Sequence, residues 1–219
     1  ISPPYNIFVL SNYKNQNKVN YMNIDFFQDV ETIILKDKLG NFLGVDEDFV
    51  YTFQDVVKLS GHSCPTVAGA YLMTIKALKE LYKDELPVRG EIRVELRDSK
   101  SSGTTGVLAN VASFITGAKE EDGFKGLQGQ YFRNNLLKYE APIKGDMRFT
   151  RVDNQEKVEV IYDLSNISLS GFDGSLMQKG LQGVATKEEL ETFGAAWQKR
   201  VSEILLKYKD EVVKLIINN

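Results

Sequence analysis

Residues 61–65, with the sequence GHSCP, contain the only histidine and the only cysteine of this 219-residue chain. Imidazole and thiolate are the side-chain ligands that zinc and other borderline-soft transition metals prefer. Taken alone, a single cysteine is typical of a small buried hydrophobic residue. The pairing of His62 with Cys64 instead predicts a site for a divalent transition metal, with zinc as the first choice.

The residues around this motif predict how the two side chains are held. The segment FVYTFQDVVKLSG indicates a short extended piece followed by a helix that ends at Gly61. Pro65 suits the first turn of a second helix, which places Cys64 at its N-cap. The positive end of the helix dipole favours the thiolate form of cysteine. The same form serves a metal ligand and a nucleophile, so a nucleophilic Cys64 beside His62 is an alternative.

One histidine and one cysteine are too few for a closed structural zinc site, which takes four protein ligands. The site is therefore predicted to be open. Its further ligands could be a carboxylate of Asp98 or Asp55, a hydroxyl of Thr104 or Thr105, solvent, or groups from a second copy of the chain. Asp98 is preferred because it ends a predicted strand just before a loop, with a helix-capping role as its alternative.

The segment SSGTTGVLANVASFITGA predicts a glycine, serine and threonine loop that opens a helix ending at Gly117. Such a loop is a candidate for binding an anion, and Thr104 and Thr105 are its candidate cofactor-binding residues. The segment lacks the lysine of a phosphate-binding P-loop, so a plain tight turn is the alternative.

Two arginines lie on a predicted antiparallel hairpin formed by GDMRFTRV and KVEVIYDL. We expect Arg148 and Arg151 to be exposed surface charges. The alternative is that they point into a cleft, where a guanidinium would bind a carboxylate or phosphate group through two hydrogen bonds.

Composition narrows the classes of partner. A formal net charge of -3 gives no bulk attraction to nucleic acids or anionic lipids. No apolar run is long enough to cross a bilayer, and the first residues lack the pattern of a signal peptide. A single cysteine fits a reducing compartment. We therefore expect a cytoplasmic protein that binds a small molecule, with the bacterial periplasm as the other option.

The remaining patterns predict a single α+β domain over residues 23–219, with a mixed, mainly antiparallel sheet packed with helices. Residues 1–22 are interpreted as an N-terminal extension, with an edge strand as the alternative. Helices are predicted over 25–43, 66–82 and 185–208, a strand over 91–97, and an irregular connector over 169–183.

The segment VVKLSGHSCPTVAGAYLMTIKAL resembles the family of the E-type subunit of formylmethanofuran dehydrogenase, whose signature is Gly-His-x-Cys-Pro followed by a helix of small residues. The resemblance implies an α+β fold related to the catalytic domain of glyceraldehyde-3-phosphate dehydrogenases, a homodimer, and a zinc ion held by His62 and Cys64. Relatives often carry further cysteines and a C-terminal zinc ribbon, and this chain has neither.

Three functions follow as hypotheses. The first is a metalloenzyme that acts on a small molecule through an open site at His62 and Cys64. The second is a metal-binding or ligand-binding accessory module of a redox complex that does no chemistry itself. The third is an enzyme that uses Cys64 as a nucleophile. No sequence feature identifies a general base, so the catalytic residues remain unassigned.

Overall fold

The structure of the protein is a computed structural model that describes residues 24–46 and 48–216. The proposed extension at residues 1–22 lies outside the described residues. The described part contains a two-stranded and a five-stranded sheet with six α-helices, in this order: β1 Ile33–Lys36, α1 Lys38–Phe42, β2 Asp48–Tyr51, α2 Phe53–Ser60, α3 Pro65–Tyr82, β3 Ile92–Leu96, α4 Thr105–Thr116, β4 Leu137–Lys138, β5 Met147–Arg151, β6 Lys157–Tyr162, α5 Gly174–Leu181, α6 Lys187–Ser202 and β7 Val213–Ile216.

The predicted α+β class with a mainly antiparallel sheet is confirmed. The main sheet has the order β4-β3-β5-β6-β7, and β3 pairs with β4 in parallel whereas the other neighbouring pairs are antiparallel. Strands β1 and β2 form the small antiparallel sheet. No helix of the described residues is both long and apolar enough to cross a membrane.

Helix α3 is the central element, as its pattern predicts. It packs against β5, β6 and β7 of the main sheet and against α2, α4 and α6. Its apolar side chains are buried from Val67 to Tyr82. In β3, Ile92, Val94 and Leu96 are buried and alternate with partly exposed residues, which confirms the predicted period of two. The core therefore lies between the main sheet and this helix layer.

The single helix predicted over 25–43 is wrong. The structure has a 3₁₀-helix at Asp25–Asp29, then β1, then the short helix α1. Ile33 and Leu35 are buried while Ile34 is exposed, which is the alternation of a strand. Apolar residues placed close together fit the spacing of a helix as well as that of a strand. Residues 33–36 form a strand because they pair with β2.

The predicted irregular connector over 169–183 is also wrong in part, because it contains α5. Asp173 caps the N-terminus of α5 by accepting a hydrogen bond from the Ser175 N–H at 2.8 Å. The glycines of this segment obscure the helical pattern in the sequence. Helix α6 begins with the predicted capping box of Thr186 and Glu189 and continues into a π-helical turn at Glu203–Lys207.

Candidate functional site

The GHSCP motif forms the sharp connection between α2 and α3. Gly61 ends α2 in the left-handed conformation, with φ of 73°, and its N–H donates to the Val57 carbonyl at 2.8 Å. A glycine adopts this conformation without the steric penalty of a Cβ atom. Helix α3 starts four residues later at Pro65. His62, Ser63 and Cys64 are therefore fixed between two helix ends, as the sequence predicts.

The His62 side chain is exposed, and one of its ring nitrogens has a defined partner. Nδ1 lies 2.8 Å from the Ser60 carbonyl oxygen. A carbonyl oxygen only accepts hydrogen bonds, so this contact places the proton of the neutral ring on Nδ1. The lone pair is then on Nε2. This is the arrangement of a metal-binding histidine, in which a backbone carbonyl fixes the tautomer and orients the ring.

Cys64 occupies the N-cap of α3, which confirms that part of the prediction. Its Sγ accepts a hydrogen bond from the Val67 N–H at 3.4 Å, and Pro65 fills the first helical position. The side chain is half-buried. The structure thus fixes the Cys64 sulfur two residues from the His62 lone pair.

Ser63 is buried between these two side chains and is held by α6. Its carbonyl accepts hydrogen bonds from Trp197 Nε1 at 2.9 Å and Gln198 Nε2 at 3.4 Å. Among the described residues, Ser63 Oγ and Gln198 Oε1 are buried without a hydrogen-bond partner. Buried polar atoms rarely remain unpaired, so the pair marks a place for water or a ligand group. The sequence contains no signal for the long-range contacts between the Ser63 carbonyl and α6.

Tyr162 joins the motif to the main sheet. Its hydroxyl donates to the Pro65 carbonyl at 2.9 Å, and its ring packs on Gly69 of α3 so closely that an added Cβ would lie 2.5 Å from the ring. Burial raises the pKa of Tyr162, and the nearby Cys64 raises it further. The raised pKa keeps Tyr162 a neutral phenol at physiological pH.

A cavity of about 300 Å³ lies beside the first turn of α3. We call it the threonine cavity. Its wall brings together three of the residues singled out from the sequence, and neither His62 nor Cys64 forms part of that wall. The motif and the cavity are neighbours through the N-terminus of α3 and the Tyr162 ring. The wall includes Thr66, Asp98, Ser102, Thr104, Thr105 and Tyr162.

Thr104 and Thr105 lie at the N-terminus of α4, on the cavity wall. Thr104 is the N-cap residue, its side chain makes no capping hydrogen bond, and it is exposed, whereas Thr105 is buried. The Thr104 hydroxyl is thus free to contact a ligand. The first N–H groups of a helix favour an anionic group. The cofactor-binding role of Thr104 and Thr105 stays a prediction that this placement suits.

The Asp98 carboxylate lies in the same wall but is engaged by an arginine. Arg97 contacts Asp98 at 3.2 Å and Asp146 at 2.9 Å. Within the described residues, the Asp98 carboxylate has no hydrogen bond to a helix N-terminus, so the capping role expected for it is not seen. Asp98 can shape the charge of the cavity without ligating at the motif.

Asp55, the other candidate carboxylate, lies at the far end of α2 from His62. It completes a capping box there, accepting hydrogen bonds from Thr52 N at 3.0 Å and Thr52 Oγ1 at 2.7 Å. Burial opposes ionisation, yet these hydrogen bonds and the Lys58 charge hold the pKa of Asp55 below its usual value. Its carboxylate stabilises the helix that delivers the motif.

The prediction that Arg148 and Arg151 are exposed is wrong, because the residues that each side chain contacts partly bury it. Arg148 donates two hydrogen bonds to Glu95, at 2.7 and 2.8 Å. Arg151 stacks over the Tyr82 ring at 4.2 Å and pairs with Asp153. Each guanidinium already binds a carboxylate of the chain, so the alternative role of a ligand-binding group gains no support from their contacts.

The described residues contain no group of three or more His, Cys, Asp and Glu side chains that could hold a metal ion. The structure therefore does not bring Asp98 or Asp55 to His62 and Cys64 as a third ligand. No protein-family model matches the chain, and no curated protein is similar to it. The resemblance to the formylmethanofuran dehydrogenase family stays a hypothesis, and the chemistry of the site is the basis for a function.

Proposed function

We propose that the GHSCP motif binds a divalent transition metal, with zinc as the first choice, through His62 Nε2 and Cys64 Sγ. The observation that carries the proposal is the contact of His62 Nδ1 with the Ser60 carbonyl, which leaves Nε2 as the donor. The second donor is the Cys64 sulfur at the N-cap of α3, which the Val67 N–H holds in place. Both donors have the chemistry that zinc prefers.

A single chain offers two ligands, so the metal keeps open positions for solvent, a bound molecule or groups of a second copy of the chain. An open divalent metal can polarise a substrate oxygen or make bound water acidic. The resemblance to the formylmethanofuran dehydrogenase family, which implies zinc and a homodimer, supports the same proposal. On this basis the protein is a cytoplasmic metalloenzyme that acts on a small molecule.

The threonine cavity is the proposed binding place of that molecule. The Thr104 hydroxyl and the N-terminus of α4 suit an oxygen-rich or anionic group. The Arg97 side chain adds positive charge but is shared between Asp98 and Asp146. These groups would hold the ligand beside the first turn of α3, whose N-cap is Cys64.

A second candidate is a non-catalytic metal-binding or ligand-binding module. It is favoured by the state of the residues that could move protons. Tyr162 is a half-buried phenol that donates to a carbonyl, and Asp98 is paired with Arg97. A third candidate, Cys64 as a nucleophile, is favoured by the position of its sulfur at a helix N-terminus.

The first test is the metal content of the purified, untagged protein, measured by elemental mass spectrometry. Wild type is compared with His62→Ala and Cys64→Ser; serine keeps an N-cap oxygen for the Val67 N–H and removes the soft donor. Lys58→Ala, which changes an exposed side chain one turn before His62, is the control. We expect close to one metal ion per chain in wild type and the control, and loss in both site variants.

Wild type that holds no metal and takes none up would overturn the metal proposal. The nucleophile candidate is then decided by the rate of Cys64 alkylation at neutral pH in the metal-free protein. Alkylation much faster than for a free thiol supports a nucleophile, and a rate equal to a free thiol leaves Cys64 as a structural N-cap.

A further inference from the structure

A second cavity of about 890 Å³ lies at the opposite end of α4 from the threonine cavity. Helix α4 has twelve residues and is therefore about 18 Å long. We call this the arginine cavity; its wall includes Lys38, Phe42, Arg89, Gly90, Tyr131 and Arg133. Its volume is within the range of about 300–1,000 Å³ that is typical of small-molecule sites.

Two arginines of this wall, Arg89 and Arg133, share one carboxylate. Asp37, 4% exposed, accepts hydrogen bonds from Arg133 Nη2 at 2.6 Å and Arg89 Nη1 at 3.1 Å. Burial opposes ionisation of Asp37, but the Gly40 N–H and the two guanidinium groups together hold its pKa below the usual value. Within this cluster one negative charge therefore faces two positive charges, which leaves an excess of one. The carboxylates of the wall itself are already paired, Glu91 with Lys38 and Asp153 with Arg151.

The C-terminus of α4 compensates one of the two arginines. Arg89 donates from Nε to the Ile115 carbonyl at 3.1 Å and from Nη2 to the Phe114 carbonyl at 3.2 Å. These are carbonyls of the last helical turn, where the dipole is equivalent to about half a negative charge. The charge that remains without full compensation is that of Arg133.

Arg133 is 7% exposed, and within the described residues its Nη1 has no hydrogen-bond partner. Burial lowers the pKa of Arg133, with Asp37 acting in the opposite direction, and the group stays charged at neutral pH. A buried charge that lacks a full set of partners is costly. An anion bound in the cavity beside Arg133 would offset this charge.

Two glycines fix the position of this guanidinium. A Cβ added to Gly90 would lie 2.0 Å from Arg133 Nη1, and one added to Gly117 would lie 3.0 Å from it. Both glycines have positive φ, of 84° and 76°. Any residue larger than glycine at position 90 would overlap the Arg133 guanidinium. The guanidinium therefore packs against the backbone of Gly90, which lines the cavity.

The rim of the cavity carries a pair of aromatic rings. Phe42 and Tyr131 are stacked, with ring centroids 5.4 Å apart and an angle of 26° between the planes. The Phe42 side chain is largely exposed, at 63%. Large exposed aromatic surfaces beside a cavity mark ligand sites, and their faces stack with other planar rings.

We propose that the arginine cavity binds a small molecule that combines one acidic group, a carboxylate or a phosphate, with a planar aromatic ring. The acidic group pairs with the excess positive charge of Arg133 and Arg89, and the ring packs on Phe42 and Tyr131. This site is separate from the GHSCP motif and does not depend on the metal.

The test is isothermal titration of the full chain with two matched pairs of probes. The first pair is 2-naphthoate and 2-naphthamide, and the second is adenosine 5′-monophosphate and adenosine. We expect at least one acidic probe to bind about tenfold more tightly than its neutral partner, because an ion pair replaces a neutral contact. Binding of naphthoate alone assigns a carboxylate, and binding of the nucleotide alone assigns a phosphate.

Two variants separate the two parts of the site. Arg133→Met should abolish the preference for the acidic probe, whereas Phe42→Ala should weaken both members of a pair about tenfold, the size of a lost stacking contact. Arg93→Met and Phe124→Ala, which lie outside the cavity wall, are the matched controls and should bind as wild type does.

Salt dependence gives a readout that does not rely on the folding of Arg133→Met. In wild type, added sodium chloride should weaken binding of the acidic probe and leave the neutral probe unchanged. The proposal is overturned if acidic and neutral probes bind equally, if no probe binds at millimolar concentration, or if folded Arg133→Met keeps the preference for the acid.

Discussion

Two parts of the molecule carry two different kinds of site. In the turn between α2 and α3, the donors of the GHSCP motif are exposed or half-buried, and their contacts run to residues two or three positions away. At the Gly117 end of α4, the Asp37 cluster is largely buried and joins residues 52 and 96 positions apart. The motif is therefore a local construction, whereas the arginine cluster depends on the whole fold. Substitutions at the motif should change binding with little effect on stability, whereas substitutions at the cluster should change stability as well as binding.

The largest expected effect is that of Asp37→Ala, which leaves the buried Arg133 and the half-buried Arg89 without their carboxylate. We expect a loss of about 3–5 kcal/mol in the free energy of unfolding, the cost of breaking a buried ion pair. The matched control is Asp55→Ala, which removes a partly exposed capping carboxylate and should cost about 1 kcal/mol. Urea denaturation measures both. Equal losses in the two variants would contradict the contrast between the two sites.

The next effect compares two glycines with positive φ. Gly90→Ala should cost about 3 kcal/mol, because its new Cβ overlaps Arg133 as well as straining the backbone. Gly61→Ala has open space around its Cβ, so only the strain of about 1 kcal/mol remains. Thermal and urea denaturation measure the difference. A Gly61→Ala variant as unstable as Gly90→Ala would show that the GHSCP motif does not tolerate substitution better than the arginine cavity does.

The pH dependence of stability reports on the Asp37 cluster. The folded-state pKa of Asp37 is below its usual value, so its ionised form stabilises the fold fully above the unfolded-state pKa of about 3.9. That contribution is lost as the pH falls through the folded-state pKa. Urea midpoints measured from neutral pH to below pH 4 should therefore fall more steeply for wild type than for Asp37→Asn. If the midpoints of wild type and Asp37→Asn fell in parallel with pH, Asp37 would not be the source of the pH dependence.

The smallest effect is expected at Cys64. Cys64→Ser should change the free energy of unfolding by less than about 0.5 kcal/mol, because serine is a preferred N-cap residue. Cys64→Ala, which offers no acceptor to the Val67 N–H, should cost about 1 kcal/mol. Urea denaturation of the metal-free proteins measures both changes. A large loss of unfolding free energy in Cys64→Ser would show that the sulfur stabilises the fold by packing, which would contradict its assignment as a metal donor.

The contrast between the local GHSCP motif and the long-range arginine cluster explains which features the sequence could predict. The ends of α2 and α3 around the motif are determined by Gly61 and Pro65, whose backbone preferences act locally. The arginine cavity is not visible in the sequence, because Arg133 meets Asp37 only once the main sheet and α4 are assembled. The hold of Trp197 on the Ser63 carbonyl is invisible in the sequence for the same reason.

The sequence also suggested carboxylates near the motif, and the structure places them elsewhere. Asp98 borders the threonine cavity and Asp55 caps α2. Spacing along the chain identified the two residues that share a turn, His62 and Cys64, but contained no measure of how distant segments approach them. Long-range ligands need the tertiary fold, or a second chain, to be identified.

The most direct test of the metal proposal is cobalt titration of the metal-free protein, followed by absorption spectroscopy. Cobalt(II) occupies zinc sites, and a bound thiolate gives it a charge-transfer band in the near ultraviolet. We predict that this band grows to one equivalent of cobalt in wild type, is absent in Cys64→Ser, and needs far more cobalt in His62→Ala. Wild type that shows no such band with excess cobalt would contradict the assignment of the GHSCP motif as a metal site.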